Sequence, residues 1–128
     1  MNSILIKAVI VVTFALISYS IAVITEQRKG KISNRVLTFL TAGIVLDISS
    51  TVLMIIGAGK IPVTVHGFIG YSALSLMLVE TILIWRFRIK NGSDTPVSRG
   101  LSKYTRFAYI WWVIAYIAGA IIAMVLEN

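Results

Sequence analysis

The stretch VTVHGFIGYSALSLMLVETILIW, residues 63–85, decides the fold, because an apolar run of about 20 residues crosses the roughly 30 Å hydrocarbon core as a helix. It contains the chain's single histidine, His66, and an acidic residue within apolar sequence, Glu80. Residues spaced by three and four positions share one face of a helix. That face carries His66, Gly70, Ala73, Met77 and Glu80. We therefore predict a transmembrane helix that turns this face toward the protein interior.

Composition places the whole chain among membrane proteins. Of its 128 residues, 58% are hydrophobic and 13% are charged, which leaves too little polar surface for a soluble domain. Four apolar segments are visible, at residues 4–24, 36–58, 63–85 and 107–126. No segment alternates like a barrel strand, and helices satisfy their own backbone groups in lipid. We predict an all-α integral membrane protein with one domain, residues 1–128, formed by an antiparallel bundle of four transmembrane helices.

The basic residues predict how the bundle is oriented. Ten of the twelve lie in the first and third connections: Arg28, Lys29, Lys31, Arg35, Arg86, Arg88, Lys90, Arg99, Lys103 and Arg106. The positive-inside rule makes that side cytoplasmic, so both termini are expected outside the inner (cytoplasmic) membrane. The net charge of +7 is thereby explained by topology and lipid contact, without nucleic acid. Trp85, Trp111 and Trp112 are expected to form an aromatic belt at the cytoplasmic boundary.

The absence of cysteine limits the chemistry. It excludes disulfides, thiolate metal sites, iron–sulfur clusters and covalently attached c-type haem. The first apolar segment is longer than a signal-peptide core and is followed by no small-x-small cleavage site, so we expect it to be retained. In the first and fourth segments the four-three spacing predicts packed faces, which comprise Ala8, Val12, Ala15, Tyr19, Ala22 and Glu26, and Ala108, Trp112, Ala115, Gly119 and Ile122.

The second segment repeats the pattern of the third. Its predicted inner face comprises Gly43, Asp47, Ser50, Met54 and Gly57. A charged side chain at mid-bilayer costs at least about 2.5 kcal/mol, so Asp47 is expected to face inward and to be protonated, hydrogen-bonded or paired. Two roles are open for Asp47: a structural hydrogen bond between helices, or the binding of a proton or ligand. Glu80 lies about 10 Å nearer the cytoplasm, so the two acids are not expected to pair. Glu80 could instead snorkel toward Arg86 or the interface.

His66 allows two interpretations. It could be a hydrated side chain at the membrane surface, or an axial ligand of a b-type haem held between helices. Gly67 and Gly70 would leave room for the flat macrocycle, and Met54 or Met124 lies near the matching depth for a second ligand, although methionine more often only packs. A single histidine excludes two-histidine ligation within one chain.

Several short motifs resemble the HsmA-like family of small four-helix bacterial membrane proteins. They are residues 19–23 with Glu26 and Gly30, residues 43–47, residues 51–54, His66-Gly67-x-x-Gly70, and Leu76-Met77. The resemblance implies haem binding and protection against haem and oxidative stress. Two positions depart from it: Glu80 stands where the family often has a second histidine, and Ser50 where it has a glycine.

Three functions are compatible with the sequence. The first is a non-enzymatic membrane protein that sequesters haem b, with His66 and Met54 as metal ligands and Gly67, Gly70 and Asp47 lining the site. The second is a small proton-coupled transporter or efflux subunit that uses Asp47 and Glu80, although small multidrug exporters carry their acid in the first helix. The third is a helper subunit whose small-residue faces dock a larger membrane protein or a second copy.

Overall fold

The computed structural model is all-helical. It describes the backbone of residues 3–59, 65–92 and 94–127. The side chains are described in the same ranges, except those of Leu5, Ala58, Val65, His66 and residues 122–127. Within these ranges the chain forms four helices, α1 (Ser3–Lys29), α2 (Asn34–Ala58), α3 (Val65–Asn91) and α4 (Arg99–Glu127). The prediction of an all-α, four-helix chain is confirmed. Residues 60–64, which connect α2 and α3, lie outside the described residues.

Three of the helices are long and apolar enough to cross a membrane: Ile6–Lys29, Asn34–Gly57 and Gly67–Asn91. A fourth span at residues 107–126 stays a prediction. On the basic side the helices extend beyond the predicted segments, because charged residues continue them for one or two more turns. Arg28 and Lys29 form the last turn of α1, and Arg88 and Lys90 that of α3, where positive charge interacts favourably with the helix dipole.

The bundle consists of two hairpins. Among the described residues, α1 packs most extensively against α2 and α3 against α4, while the α2–α3 and α1–α4 contacts are less extensive. The α1–α2 contact depends on Gly43, because a Cβ atom there would clash with the ring of Tyr19. The absence of a side chain at Gly43 lets the Tyr19 ring lie across α2 and reach the next polar residue of that helix, Asp47.

The two basic connections meet at one end of the bundle. Gly30, with φ of 69°, ends α1 in the left-handed conformation that glycine adopts without strain. Its carbonyl oxygen accepts a hydrogen bond of 2.7 Å from the backbone N–H of Val97, beside an antiparallel bridge between Lys31 and Pro96. Arg88 donates to the carbonyl oxygen of Ile32 at 2.9 Å. Ile32 is fully buried and closes this end of the interior.

Candidate functional site: buried carboxyl groups

The interior is formed by the faces that the helical spacing predicts. The buried positions on these faces are Ala8, Ala15, Tyr19, Ala22 and Glu26 on α1, Gly43, Asp47 and Ser50 on α2, Ala73, Met77 and Glu80 on α3, and Ala108, Trp112 and Ala115 on α4. Met54 differs from its predicted face, since its side chain is 37% exposed. The described side chains therefore enclose three carboxyl groups, Glu26, Asp47 and Glu80, but not the Met54 thioether.

Asp47 is held by aromatic donors from two other helices. The Tyr19 hydroxyl on α1 donates to Asp47 Oδ2 at 3.0 Å, and the Trp112 indole N–H on α4 donates to the same oxygen at 2.8 Å. The Tyr19 and Trp112 rings meet edge to face with centroids 5.0 Å apart. Ser50 is not part of this group, because its hydroxyl donates to the Ala8 carbonyl oxygen at 2.9 Å. Asp47 thus joins three helices through one oxygen atom.

The predicted aromatic belt is wrong for Trp112, which is only 4% exposed. Consecutive helical residues point about 100° apart, so Trp111 and Trp112 cannot both face the membrane boundary in the same way. Trp111 is partly exposed and donates to the Ser72 hydroxyl at 3.0 Å. Trp85 is 39% exposed and donates to the Thr41 hydroxyl at 2.9 Å. The position of Trp112 between Ala108 and Ala115 on one helical face was the sequence signal for its burial.

Glu80 is a buried carboxyl group of the described interior, and the Thr105 hydroxyl on α4 lies beside it. It has no exposed surface, and neither carboxyl oxygen has a hydrogen-bond partner among the described residues. The expectation that it snorkels toward Arg86 is wrong. Six residues of helix turn Arg86 about 120° away from Glu80, so the two side chains lie on different faces of α3. Glu80 shares its face with Met77 and Ile84, which pack in the core.

Glu26 on α1 and Thr105 on α4 lie beside Glu80. All three line a narrow gap whose other walls are apolar, formed by Ala22, Val23, Val36, Leu40 and Ile84. One oxygen of Glu26, Oε1, and the Thr105 hydroxyl are also buried without a hydrogen-bond partner in the described chain. As the side chains stand, the gap is too narrow for a water molecule. Four unpartnered polar oxygen atoms are therefore gathered in a dry, apolar surrounding.

The second carboxyl oxygen of Glu26 has hydrogen-bond partners near the basic end of the bundle. Glu26 Oε2 accepts a hydrogen bond of 2.6 Å from the Gln27 amide, which also donates to the Ser102 hydroxyl and carbonyl oxygen at 3.1 Å. Arg106 on α4 is near enough to interact electrostatically with Glu26. Burial raises the pKa of the nearby Tyr104 hydroxyl, and an ionised Glu80 would raise it further. Sequence reasoning missed Glu26 as a site residue, although it lies on the packed face of α1.

Sequence reasoning also missed a set of hydrogen-bonded polar side-chain pairs between α1 and α4. Thr13 pairs with Tyr116 at 3.0 Å, Ser20 with Tyr109 at 2.6 Å, and Gln27 with Ser102 at 3.1 Å. Along both antiparallel helices the partners follow one another every seven residues, which is two helical turns. This spacing is visible in the sequence on each helix separately. We call these three contacts the α1–α4 pairs.

The residues predicted to hold haem are described only in part. The side chains of His66 and Met124 lie outside the described residues. A Cβ atom at Gly70 would meet no atom within 4 Å, so the helix surface beside this glycine is open. The described residues contain no cluster of three or more His, Asp and Glu side chains that could bind a metal ion.

Comparison of the chain with protein-family models, with curated proteins and with solved structures gave no match. The resemblance to the HsmA-like family therefore stays a prediction.

Proposed function

We propose that the protein is a small proton-coupled membrane carrier in which Glu80 and Glu26 bind the transported proton. The observation that carries this proposal is the complete burial of Glu80 without a partner for either oxygen in the described chain. An isolated ionised carboxylate is too costly in an apolar interior, so Glu80 holds a proton in this conformation. A carboxyl group kept neutral by a dry surrounding releases its proton when water or a cation enters.

The surroundings of Glu80 support exchange of that proton. Glu26 and Thr105 offer unpartnered oxygen atoms in the same gap, while α2 contributes only Val36 and Leu40. Two carboxyl groups in one gap disfavour ionisation of both, so one proton is shared or passed between them. The charged and titratable groups around the gap on α4 are Tyr104 and Arg106.

The hairpin organisation supports a carrier more than a fixed structural site. Carriers commonly move one rigid helical unit against another around a central site. Here the gap lies between the α1–α2 and α3–α4 hairpins, whose mutual contacts are less extensive than those inside each hairpin. In the proposed topology α4 is the fourth span, the basic connections face the cytoplasm, and both described helix ends near Ser3 and residue 121 face outward.

Of the two roles that the sequence leaves open for Asp47, the structural one is favoured. Its Oδ2 already accepts hydrogen bonds from Tyr19 and Trp112, which is the arrangement expected for a structural link between helices. We therefore assign proton binding to Glu80 and Glu26, and helix positioning to Asp47.

Infrared spectroscopy of the purified protein tests the proton on Glu80. A protonated carboxyl group has a C=O stretching band distinct from that of a carboxylate, and we expect such a band at neutral pH. Glu80→Gln should lower the intensity of this band, whereas Asp94→Asn, which alters an exposed loop carboxyl, should leave it unchanged. A wild-type spectrum without the band would contradict the proposal.

Proteoliposomes test the carrier function. With an imposed pH gradient and ethidium as an apolar cationic probe, the wild-type protein and Asp94→Asn should accumulate the dye. Glu80→Gln should abolish the accumulation, because its neutral amide cannot exchange a proton for a cation. No gradient-driven movement of ethidium by the wild-type protein would contradict a carrier of organic cations.

Haem binding is the second candidate, favoured by the open helix surface at Gly70, one turn from His66. Haem ligated by His66 would have its redox chemistry limited by the surrounding protein. We expect purified protein with added haem to show a Soret band and sharp reduced bands that His66→Ala loses and Asp47→Asn changes only modestly. Equal haem content in His66→Ala would exclude the ligand assignment.

A further inference from the structure

The basic end of the bundle contains a groove between α3 and α4 that the proposed function does not use. It has a volume of about 700 Å³ and is lined by Leu83, Arg86, Phe87, Lys90, Leu101 and Tyr104. This size is in the range of small-molecule sites. We call it the α3–α4 groove. It shares no lining residue with the gap that contains Glu80.

Two positive charges stand together along the groove. Arg86 and Lys90 are four residues apart on α3, so they share one face of the helix. Neither side chain forms a hydrogen bond or an ion pair with another described residue, and none of the chain's five acidic residues lines the groove. The groove therefore presents unneutralised positive charge, which is complementary to an anionic group.

Apart from Asn91 and Tyr104, the remaining walls of the groove are apolar. Leu83, Phe87 and Leu101 line the groove, and Leu83 is also exposed on the outside of α3. Gly100, at the start of α4, has open space where a side chain would stand. Tyr104 lies at the same level, and aromatic side chains favour the boundary between headgroups and acyl chains. A molecule that fits has an anionic head and an apolar tail.

We propose that the α3–α4 groove binds one anionic phospholipid, with its phosphate between Arg86 and Lys90 and an acyl chain along Leu83 and Phe87. Basic pockets between helices on the cytoplasmic side of a membrane are suited to such headgroups. The groove and the gap that contains Glu80 have no lining residue in common, so this proposal stands whether or not the protein is a carrier.

Native mass spectrometry of the detergent-solubilised protein, titrated with phosphatidylglycerol, tests the proposal. We expect one phosphatidylglycerol to bind more tightly than phosphatidylcholine. Arg86→Gln with Lys90→Gln should weaken binding about 30-fold, from the usual contribution of two basic residues near anionic lipid. Arg28→Gln with Lys29→Gln removes the same two charges from exposed positions outside the groove and should leave binding unchanged.

A second variant tests the groove without changing charge. Gly100→Leu fills the open space and should also weaken phosphatidylglycerol binding, while the circular dichroism of the helices stays unchanged. Equal losses in the two charge variants would overturn the proposal, because they would indicate diffuse attraction to anionic lipid. Displacement of the lipid by inorganic phosphate would overturn it as well, because the groove would then recognise the anion alone.

Discussion

Two adjacent tryptophans show how strongly single residues depend on the face they occupy. Trp112 is buried and donates to Asp47, while Trp111 is partly exposed and donates to Ser72. We predict that Trp112→Phe lowers the free energy of unfolding by about 1–3 kcal/mol, because it removes a donor from a buried carboxyl group. Trp111→Phe should cost about 0.6 kcal/mol, the average for a hydrogen bond between membrane helices.

Thermal unfolding of both variants in the same detergent measures this difference. The two substitutions delete the same atoms from neighbouring positions, so Trp111→Phe is a matched control. Equal losses of stability would mean that the bond to Asp47 contributes no more than a surface contact.

Residue-level prediction from sequence succeeded for most positions on the inner faces, Met54 excepted, and failed for the hydrogen-bond partners of the side chains. The spacing placed Asp47 and Glu80 on inner faces, and both are buried. It could not show that Tyr19 and Trp112 satisfy Asp47 while the carboxyl oxygens of Glu80 have no partner in the described chain. Spacing fixes the angle of a residue around its own helix, whereas its partners depend on how neighbouring helices are rotated and shifted.

At the scale of helices, the α1–α4 pairs join the two hairpins through hydrogen bonds rather than through close backbone packing. We predict that Tyr109→Phe and Tyr116→Phe each lower the free energy of unfolding by about 0.6 kcal/mol. The two positions are about 10 Å apart along α4, so the double variant should lose about the sum of both.

Chemical denaturation in detergent measures the single and double variants. Tyr71→Phe is the control, since Tyr71 makes no hydrogen bond with the described residues, and it should leave stability unchanged. A double variant as stable as the wild type would show that these pairs are exchanged for equivalent contacts with lipid or water.

The helices themselves were predictable in number and type, but not in length. The length of an apolar run reflects the thickness of the hydrocarbon core and not the full length of the helix. The helices α1, α3 and α4 continue beyond their apolar runs through charged residues on the basic side. The seven-residue repeats of Thr13, Ser20 and Gln27 on α1, and of Ser102, Tyr109 and Tyr116 on α4, are present in the sequence. Their pairing requires the register between the helices, which neither repeat contains.

At the scale of the whole molecule, the proposed orientation can be measured because the chain has no cysteine and hence no labelling background. We predict that a membrane-impermeant thiol reagent labels Ser3→Cys in intact spheroplasts but labels Lys103→Cys only after lysis. Both positions are exposed, so a difference reports the side of the membrane. Labelling of Lys103→Cys in intact spheroplasts would reverse the topology.

The backbone link between the two basic connections has a mechanical consequence. Val97 and Gly30 hold the hairpins together at that end, and α2 extends from there over 25 residues, a lever arm of about 37 Å. Turning one hairpin by about 5° around this pivot shifts the far end by about 3 Å, roughly the diameter of a water molecule. A small rotation at this pivot would therefore be enough to open the opposite end of the bundle to water.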